Sequence, residues 1–211
     1  MTEYKCARIS RHAAMASKVR CAWPGNDVLM IRYHDGEWGT PVHDERKLFE
    51  YIVLDSMQAG LSWQTILNKR ENFRKAFHNF EPKKVSSFTE KDVNRLLNDA
   101  SIIRNRLKIN ATITNAKKFL EVQQEFGSFD KYVWKFVNYE PIVHKFKKLS
   151  ELPAKTKESD AMSKELQARG FKFVGSTICY AFMQAAGMVN DHTIDCFRYA
   201  ELNGRLGTWS A

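Results

Sequence analysis

The 211-residue chain contains no uninterrupted apolar run of membrane-spanning length, so no bilayer crossing is predicted. Its first twenty residues lack the continuous apolar stretch of a secretory signal, which places the protein inside a cell, in the cytoplasm. Cysteine is scarce, at four residues. In a reducing compartment so few thiols point toward metal ligation rather than a disulfide framework. Strand-like alternation is missing, and so are internal repeats, low-complexity stretches and any linker. These absences exclude a membrane protein, a disulfide-stapled secreted domain, a β-sandwich and a repeat array.

What remains is helical. Leu48, Ile52 and Asp55 share one face after a cap at Asp44, and Trp63, Ile66, Leu67, Phe73 and Phe77 line the next segment. Thr89 with Asp92 forms a capping-box pattern ahead of Val93, Leu96 and Leu97. Ile109, Ile113, Ala116 and Leu120 mark a further helix, and Val133, Phe136 and Val137 a shorter one. Pro41, Pro82, Pro141 and Pro153 fall between these segments, as helix punctuation should. The fold class is all-α. Residues 1–20 read as a flexible basic extension, 21–200 as the folded domain and 201–211 as a C-terminal tail.

Lys and Arg total 33 against 24 Asp and Glu, a net charge of +9. The first twenty residues carry five basic groups and one acidic group. Such a balance favours a polyanionic partner, nucleic acid first among them.

Cys21 and His34 stand near one end with twelve residues between them, and His192 and Cys196 near the other with three between them. The second pair occupies i and i+4, neighbours on one helix face. Four such borderline-soft ligands fill a zinc tetrahedron and leave no open position, so the set reads as a structural Cys2His2 zinc site pinning the two ends of the domain together.

Residues 159–169 read as a helix, 170–175 (GFKFVG) as a tight turn and 176–186 as a second helix stopped by Gly187. Gly170 and Gly175 let the backbone turn sharply, Ser176 is positioned to cap the second helix, and several amide hydrogens converge there. Backbone donors of this kind grip phosphate without reading sequence. Lys172 adds a positive charge.

The stretches CAWPGNDVLMIRYHDGEWG, QAGLSW, KRENFRKAFHNF and RGFKFVGSTICYAFMQAAGMVNDH resemble the bacterial 3-methyladenine DNA glycosylase I family, within the helix-hairpin-helix glycosylases. The resemblance runs from Cys21 to Cys196. It implies hydrolysis of the N-glycosidic bond of 3-methyladenine in alkylated double-stranded DNA by base flipping, without a lyase step; an enzyme of this size is expected to work as a monomer. It also implies structural zinc on Cys21, His34, His192 and Cys196.

A flipped base needs a pocket. The resemblance makes Tyr33 and Trp63 the faces that sandwich it, with Trp23 and Met30 on the wall. An N3-methylated adenine is cationic, so aromatic faces attract it beyond stacking. Asp55, a carboxylate on an otherwise apolar helix face, stands where the family has a glutamate that accepts hydrogen bonds from the base. Met30 stands where the family usually has tyrosine. The shorter carboxylate draws back by about 1.5 Å, one carbon–carbon bond. Asn190, in an Asn-Asp-His run, occupies the place where most helix-hairpin-helix glycosylases carry a catalytic aspartate. Gly60 and Leu61 form a turn between two helices, with Leu61 as a wedge into the gap left by the flipped base. The two departures at Asp55 and Met30 motivate a second reading, a zinc-tethered binder of damaged or distorted DNA that no longer cuts.

Overall fold

The computed structural model describes residues 18–206. The extension expected at residues 1–20 therefore lies outside the described residues except for its last three, and these are tied down. The Val19 carbonyl accepts the Phe197 amide at 3.0 Å, and the Arg20 guanidinium forks onto the Asp35 carboxylate at 2.8–3.1 Å.

Helix α1 (Val28–Gly36) starts where the Asp27 side chain accepts the amides of Leu29 and Met30. Helix α2 (Glu45–Gln58) is capped by Asp44, which accepts the Lys47 amide at 2.8 Å. From Leu48 to Met57 every residue of α2 is buried. A helix enclosed on all sides is the core of its domain, and around α2 the other elements gather. Helix α3 (Trp63–Ala76) turns Ile66, Leu67 and Phe73 inward. Helix α4 (Pro82–Ser86) has proline at its first turn, and α5 (Glu90–Leu97) opens on the Thr89–Asp92 capping box. Helix α6 (Arg106–Phe126) brings Ile109, Ile113, Ala116 and Phe119 to the core, where the Phe119 ring meets Phe49 edge-on at 5.2 Å. Helix α7 (Phe129–Trp134) follows closely.

Helices α8 (Lys157–Ala168) and α9 (Ser176–Ala185) flank the glycine-bounded turn. The first begins two residues before the sequence pattern suggests, because Thr156 and Ser159 form a reciprocal capping box. Ser176 does not cap α9, contrary to expectation. Gly175 already holds the extended N-cap conformation with no side-chain bond, which makes Ser176 the first helical residue. Helix α10 (Phe197–Leu206) runs straight through residue 200 and buries Leu202, so the domain continues into the expected tail. The only strand pairing among the described residues is a two-residue parallel bridge, β1 (Ile142–Val143) with β2 (Val189–Asn190).

That bridge belongs to a seam joining the two ends of the chain. Gly39 and Val42 donate their amides to the carbonyls of Gln184 and Ala186 at 2.9 and 3.0 Å. Gly187 makes the seam possible. Its φ is +68°, and a Cβ there would sit 2.2 Å from the Thr40 carbonyl carbon, closer than any side chain can approach backbone.

Candidate active site and metal centre

The seam closes over four buried side chains, Cys21, His34, His192 and Cys196, whose ligand atoms all lie within 4.8 Å of one another. Cys21 Sγ stands 3.5 Å from His192 Nδ1, and Cys196 Sγ stands 3.5 Å from both His192 Nδ1 and His34 Nε2. The other ring nitrogens are committed elsewhere. His34 Nδ1 lies 2.9 Å from the Asp35 carboxylate, and His192 Nε2 lies 3.0 Å from the Trp38 carbonyl. Each imidazole is thereby turned with one nitrogen toward the cluster, the arrangement that fixes tautomer and ring orientation in metal sites. The Thr193 amide donates to Cys21 Sγ at 3.3 Å. The cluster could hold a metal ion.

Beside the cluster lies a cavity of about 210 Å³, lined by Trp23, Tyr33, Trp38, Asp55, Gln58, Trp63, Leu149, Leu152, Ala181 and Gln184. Trp23 bridges the two sites, with its ring 5.4 Å from His34 and 5.1 Å from Trp38. Tyr33 is delivered by α1 one residue before His34 of the cluster, and Trp63 by the first position of α3, where Ser62 caps the helix through the Thr65 amide. Their rings meet at 5.1 Å, tilted by 49°. They form a V rather than parallel plates. A base inserted between them needs a centroid separation of about 7 Å, two aromatic thicknesses.

Asp55 enters the cavity floor from the central helix α2. Its carboxylate makes no hydrogen bond among the described residues, and Oδ2 is buried and unpartnered. Burial raises its pKa well above the ordinary aspartate range, and Arg70 offsets only part of that. The Trp23 and Trp63 indole nitrogens are likewise buried without partners. Three of the four buried side-chain polar atoms left unpartnered among the described residues therefore line this one cavity.

Past the cavity, the chain leaves α2 through a turn in which Gly60 has φ +76° and Leu61 is exposed. Lys108, buried in α6, donates to the carbonyls of Met57 and Ala59 at 2.8 and 2.6 Å. The turn between α8 and α9 is fastened to the same region. Asn115 of α6 exchanges two hydrogen bonds with the Lys172 backbone at 2.7 and 2.9 Å, and Ser56 Oγ donates to the Phe173 carbonyl at 3.1 Å. Gly170 has φ +92°, and Phe173 also lies in the left-handed region at +54°. Lys172 and Phe173 are exposed at the tip.

Residues 23–199 match the family model described as methyladenine glycosylase. The chain belongs to that family. It is 55% identical over 180 residues to DNA-3-methyladenine glycosylase 1 of Escherichia coli strain K12, covering 85% of this chain and 96% of the relative. A crystal structure of 3-methyladenine DNA glycosylase I superposes with a TM-score of 0.83 at 52% identity, covering 85% of this chain and 98% of that one. The Staphylococcus aureus 3-methyladenine DNA glycosylase I, whose structure concerns recognition of 3-methyladenine, superposes at 0.82 with 37% identity, covering 84% and 95%.

Two of the residues expected at the site are not among those that line this cavity. Met30 is half-buried against the core and does not line the cavity; Asp27 holds its amide at the first turn of α1, away from the wall. Asn190 is also absent from the cavity lining. Its amide nitrogen lies 3.4 and 3.2 Å from the Tyr199 carbonyl and Asn203 Oδ1, and its oxygen accepts the His192 amide at 3.3 Å. Those bonds fasten α10 to the loop that carries His192. Asp191, the next residue, points the other way. Its fully buried carboxylate receives His144 Nδ1 at 2.5 Å, Tyr180 OH at 2.5 Å and Gln184 Nε2 at 2.7 Å. The hydrogen bond that His144 donates to Asp191 raises the His144 pKa, against a smaller opposing effect of burial.

Gln184, Leu149 and Leu152 are cavity residues that sequence reasoning missed. The signal for Gln184 was a lone amide in the run AFMQAAG. Leu149 and Leu152 lie in a segment without periodicity and gave none.

Proposed function

We propose that this protein is a monofunctional DNA-3-methyladenine glycosylase that acts as a monomer on alkylated double-stranded DNA inside the cell. It turns the damaged nucleotide out of the duplex, hydrolyses its N-glycosidic bond, releases the free base and leaves an abasic site. The observation that carries this reading is the aromatic cavity with two buried indole N–H donors and one buried carboxylate oxygen, all lacking partners. Buried polar groups are normally satisfied, and leaving one unpaired costs about 1–3 kcal/mol. A flat heterocycle with ring-nitrogen acceptors and an amino donor satisfies both kinds. Positive charge on that heterocycle is favoured by the aromatic faces and by Asp55.

The chemistry needs no strong base. As the bond between the sugar C1′ and the base nitrogen breaks, its electron pair neutralises the methylated base, which leaves uncharged. Water adds its oxygen to C1′ and gives its proton to solvent. The protein's contribution is to extrude the nucleotide, hold the departing base and offer the Asp55 charge to the cationic species. Leu61 on the α2–α3 turn is the wedge. Gly60 lets that backbone approach the duplex, and the helix–hairpin–helix of α8 and α9, with Gly170, Lys172, Gly175 and Ser176 at its turn, is the phosphate grip.

Cys21, His34, His192 and Cys196 hold zinc. Their sulfur–nitrogen separations of 3.5 Å agree with the edge of about 3.6 Å for a tetrahedron built from ordinary Zn–S and Zn–N bonds. Zinc bound there supplies structural cross-linking only, because four protein ligands leave no position for water.

The test is chromatographic analysis of bases released from methylated duplex DNA by the purified protein and by Trp63→Ala. Selective release of 3-methyladenine, lost in the variant, is the expected result. No release by folded, metal-loaded protein that still binds the duplex would instead establish the non-catalytic binder.

A further inference from the structure

The cavity holds a polar group that none of the foregoing roles uses. Gln184, half-buried on helix α9, lines the same cavity as Asp55, Trp23, Tyr33 and Trp63. Its Nε2 donates to Asp191 Oδ2 at 2.7 Å. A carboxylate accepts and does not donate, so this contact settles which end of the amide faces Asp191. Reversing the amide would set its oxygen against the carboxylate oxygen inside the protein, where two unpaired acceptors are costly. Asp191 is itself held by two other donors, His144 Nδ1 and Tyr180 OH, both at 2.5 Å. The Gln184 oxygen makes no hydrogen bond among the described residues and is the amide's remaining polar atom at the cavity wall.

We infer that Gln184 is a specificity-determining residue: locked by Asp191, it presents its side-chain oxygen as a fixed acceptor that selects a 6-amino purine over a 6-oxo purine. The inference rests on the glycosylase reading and adds to it a chemical criterion for the substrate. An adenine-type base carries an amino group at C6 with two hydrogens, enough to satisfy both Asp55 Oδ2 and Gln184 Oε1. A guanine-type base carries a carbonyl oxygen there. That oxygen meets the Gln184 oxygen, acceptor against acceptor, and the locked amide cannot turn its nitrogen to help it. Asp191 acts here as a positioning residue, reaching the base only through Gln184. The shortened carboxylate at Asp55 gives this second acceptor added weight.

The test is the ratio of affinities for two free bases, 3-methyladenine and 3-methylguanine, read by quenching of the cavity tryptophans. Gln184→Met keeps length and apolar bulk but has no acceptor. It should bind 3-methyladenine at least tenfold more weakly while 3-methylguanine affinity holds or rises, so the ratio collapses by tenfold or more. Tyr180→Phe removes a different donor to Asp191 and leaves the Gln184 contact in place; its ratio should stay within twofold of wild type. A ratio unchanged in Gln184→Met, or one that collapses equally in Tyr180→Phe, would overturn the inference. Both affinities come from the same folded molecules, so partial misfolding of a variant leaves the ratio intact. Failure of the glycosylase reading would register separately, as no base released from methylated duplex by the wild-type protein, with this binding ratio still measurable.

Discussion

The buried ammonium of Lys108 lies 2.8 Å from the Met57 carbonyl and 2.6 Å from that of Ala59, closing the C-terminal end of the central helix. The last carbonyls of a helix have no intrahelical donor and carry partial negative charge, so a cation there is favoured although burial lowers its pKa. The turn held in this way is the one that presents Leu61.

Lys108→Met should therefore separate two steps that most core changes would damage together. Excision from duplex DNA should fall by about tenfold as the wedge turn loosens. Affinity for free 3-methyladenine should change by less than about twofold, since Tyr33, Trp63 and Asp55 keep their places and only Gln58 of the cavity lining adjoins the turn. Loss of two charge-assisted bonds, each contributing about 1.5–3 kcal/mol, is partly offset by relief of the buried charge. Single-turnover kinetics alongside tryptophan quenching will show whether the two steps separate.

Asp55 stores instability in the cavity floor. Burial raises its pKa, so the native state holds this proton more tightly than the unfolded chain does. Between the ordinary aspartate range and the raised value the unfolded chain binds fewer protons, and stability falls as pH rises. Asp55→Asn should accordingly raise the melting temperature at neutral pH by a few degrees, about 1–2 kcal/mol, and flatten that pH dependence, while excision drops by at least tenfold. Asp55→Glu, which extends the carboxylate by about 1.5 Å, should retain excision. Thermal melts across pH, paired with base-release assays, decide this.

The four-ligand cluster predicts one zinc per chain by elemental analysis. Removing one ligand by Cys196→Ser, or stripping metal with a strong chelator, should lower the melting temperature by on the order of 10 °C, because the ion cross-links segments more than 150 residues apart in the chain. Free-base binding at temperatures where the stripped protein remains folded should weaken, since Trp23 packs on His34. A chelated protein with an unchanged melt would refute a structural metal.

Gly187 should tolerate no side chain. A Cβ there would stand 2.2 Å from Thr40 backbone, and φ is +68°. Gly187→Ala is expected to cost on the order of 3 kcal/mol or more and to lower the melting temperature by about 6–12 °C. Gly36→Ala, where a Cβ meets nothing within 4 Å, is the matched control and should leave the melt within about 2 °C.

Local order was legible in the chain itself. Apolar spacing at 48, 52, 66, 67, 73, 109, 113 and 116 places the inward faces of α2, α3 and α6, and Asp44 and Thr89 with Asp92 start their helices by bonding amides a few residues away. These interactions are short in sequence, so pattern alone encodes them. The Cys/His cluster was legible for a different reason: Cys and His at chelating spacing have few alternative uses, and the two halves required each other. Asp55 was marked by a carboxylate in an apolar stripe.

Other features depended on which surfaces meet. Which of Asn190 and Asp191 bonds to α10 and which to Gln184 depends on a two-residue bridge to Ile142–Val143 and on the position of α10, a choice between adjacent residues that no periodicity carries. Met30 and Trp23 are both apolar residues near the site, yet only Trp23 lines it, because Asp27 fixes where α1 begins turning. Gln184 acquires its orientation from Asp191, seven residues on, and its cavity from α2 and α3. The sequence by itself determined the helices, the Cys and His residues of the buried cluster and the aromatic character of the pocket, because local bonding and side-chain chemistry specify them. Tertiary structure alone decided which polar atoms meet the ligand, because that depends on contacts between segments far apart in the chain.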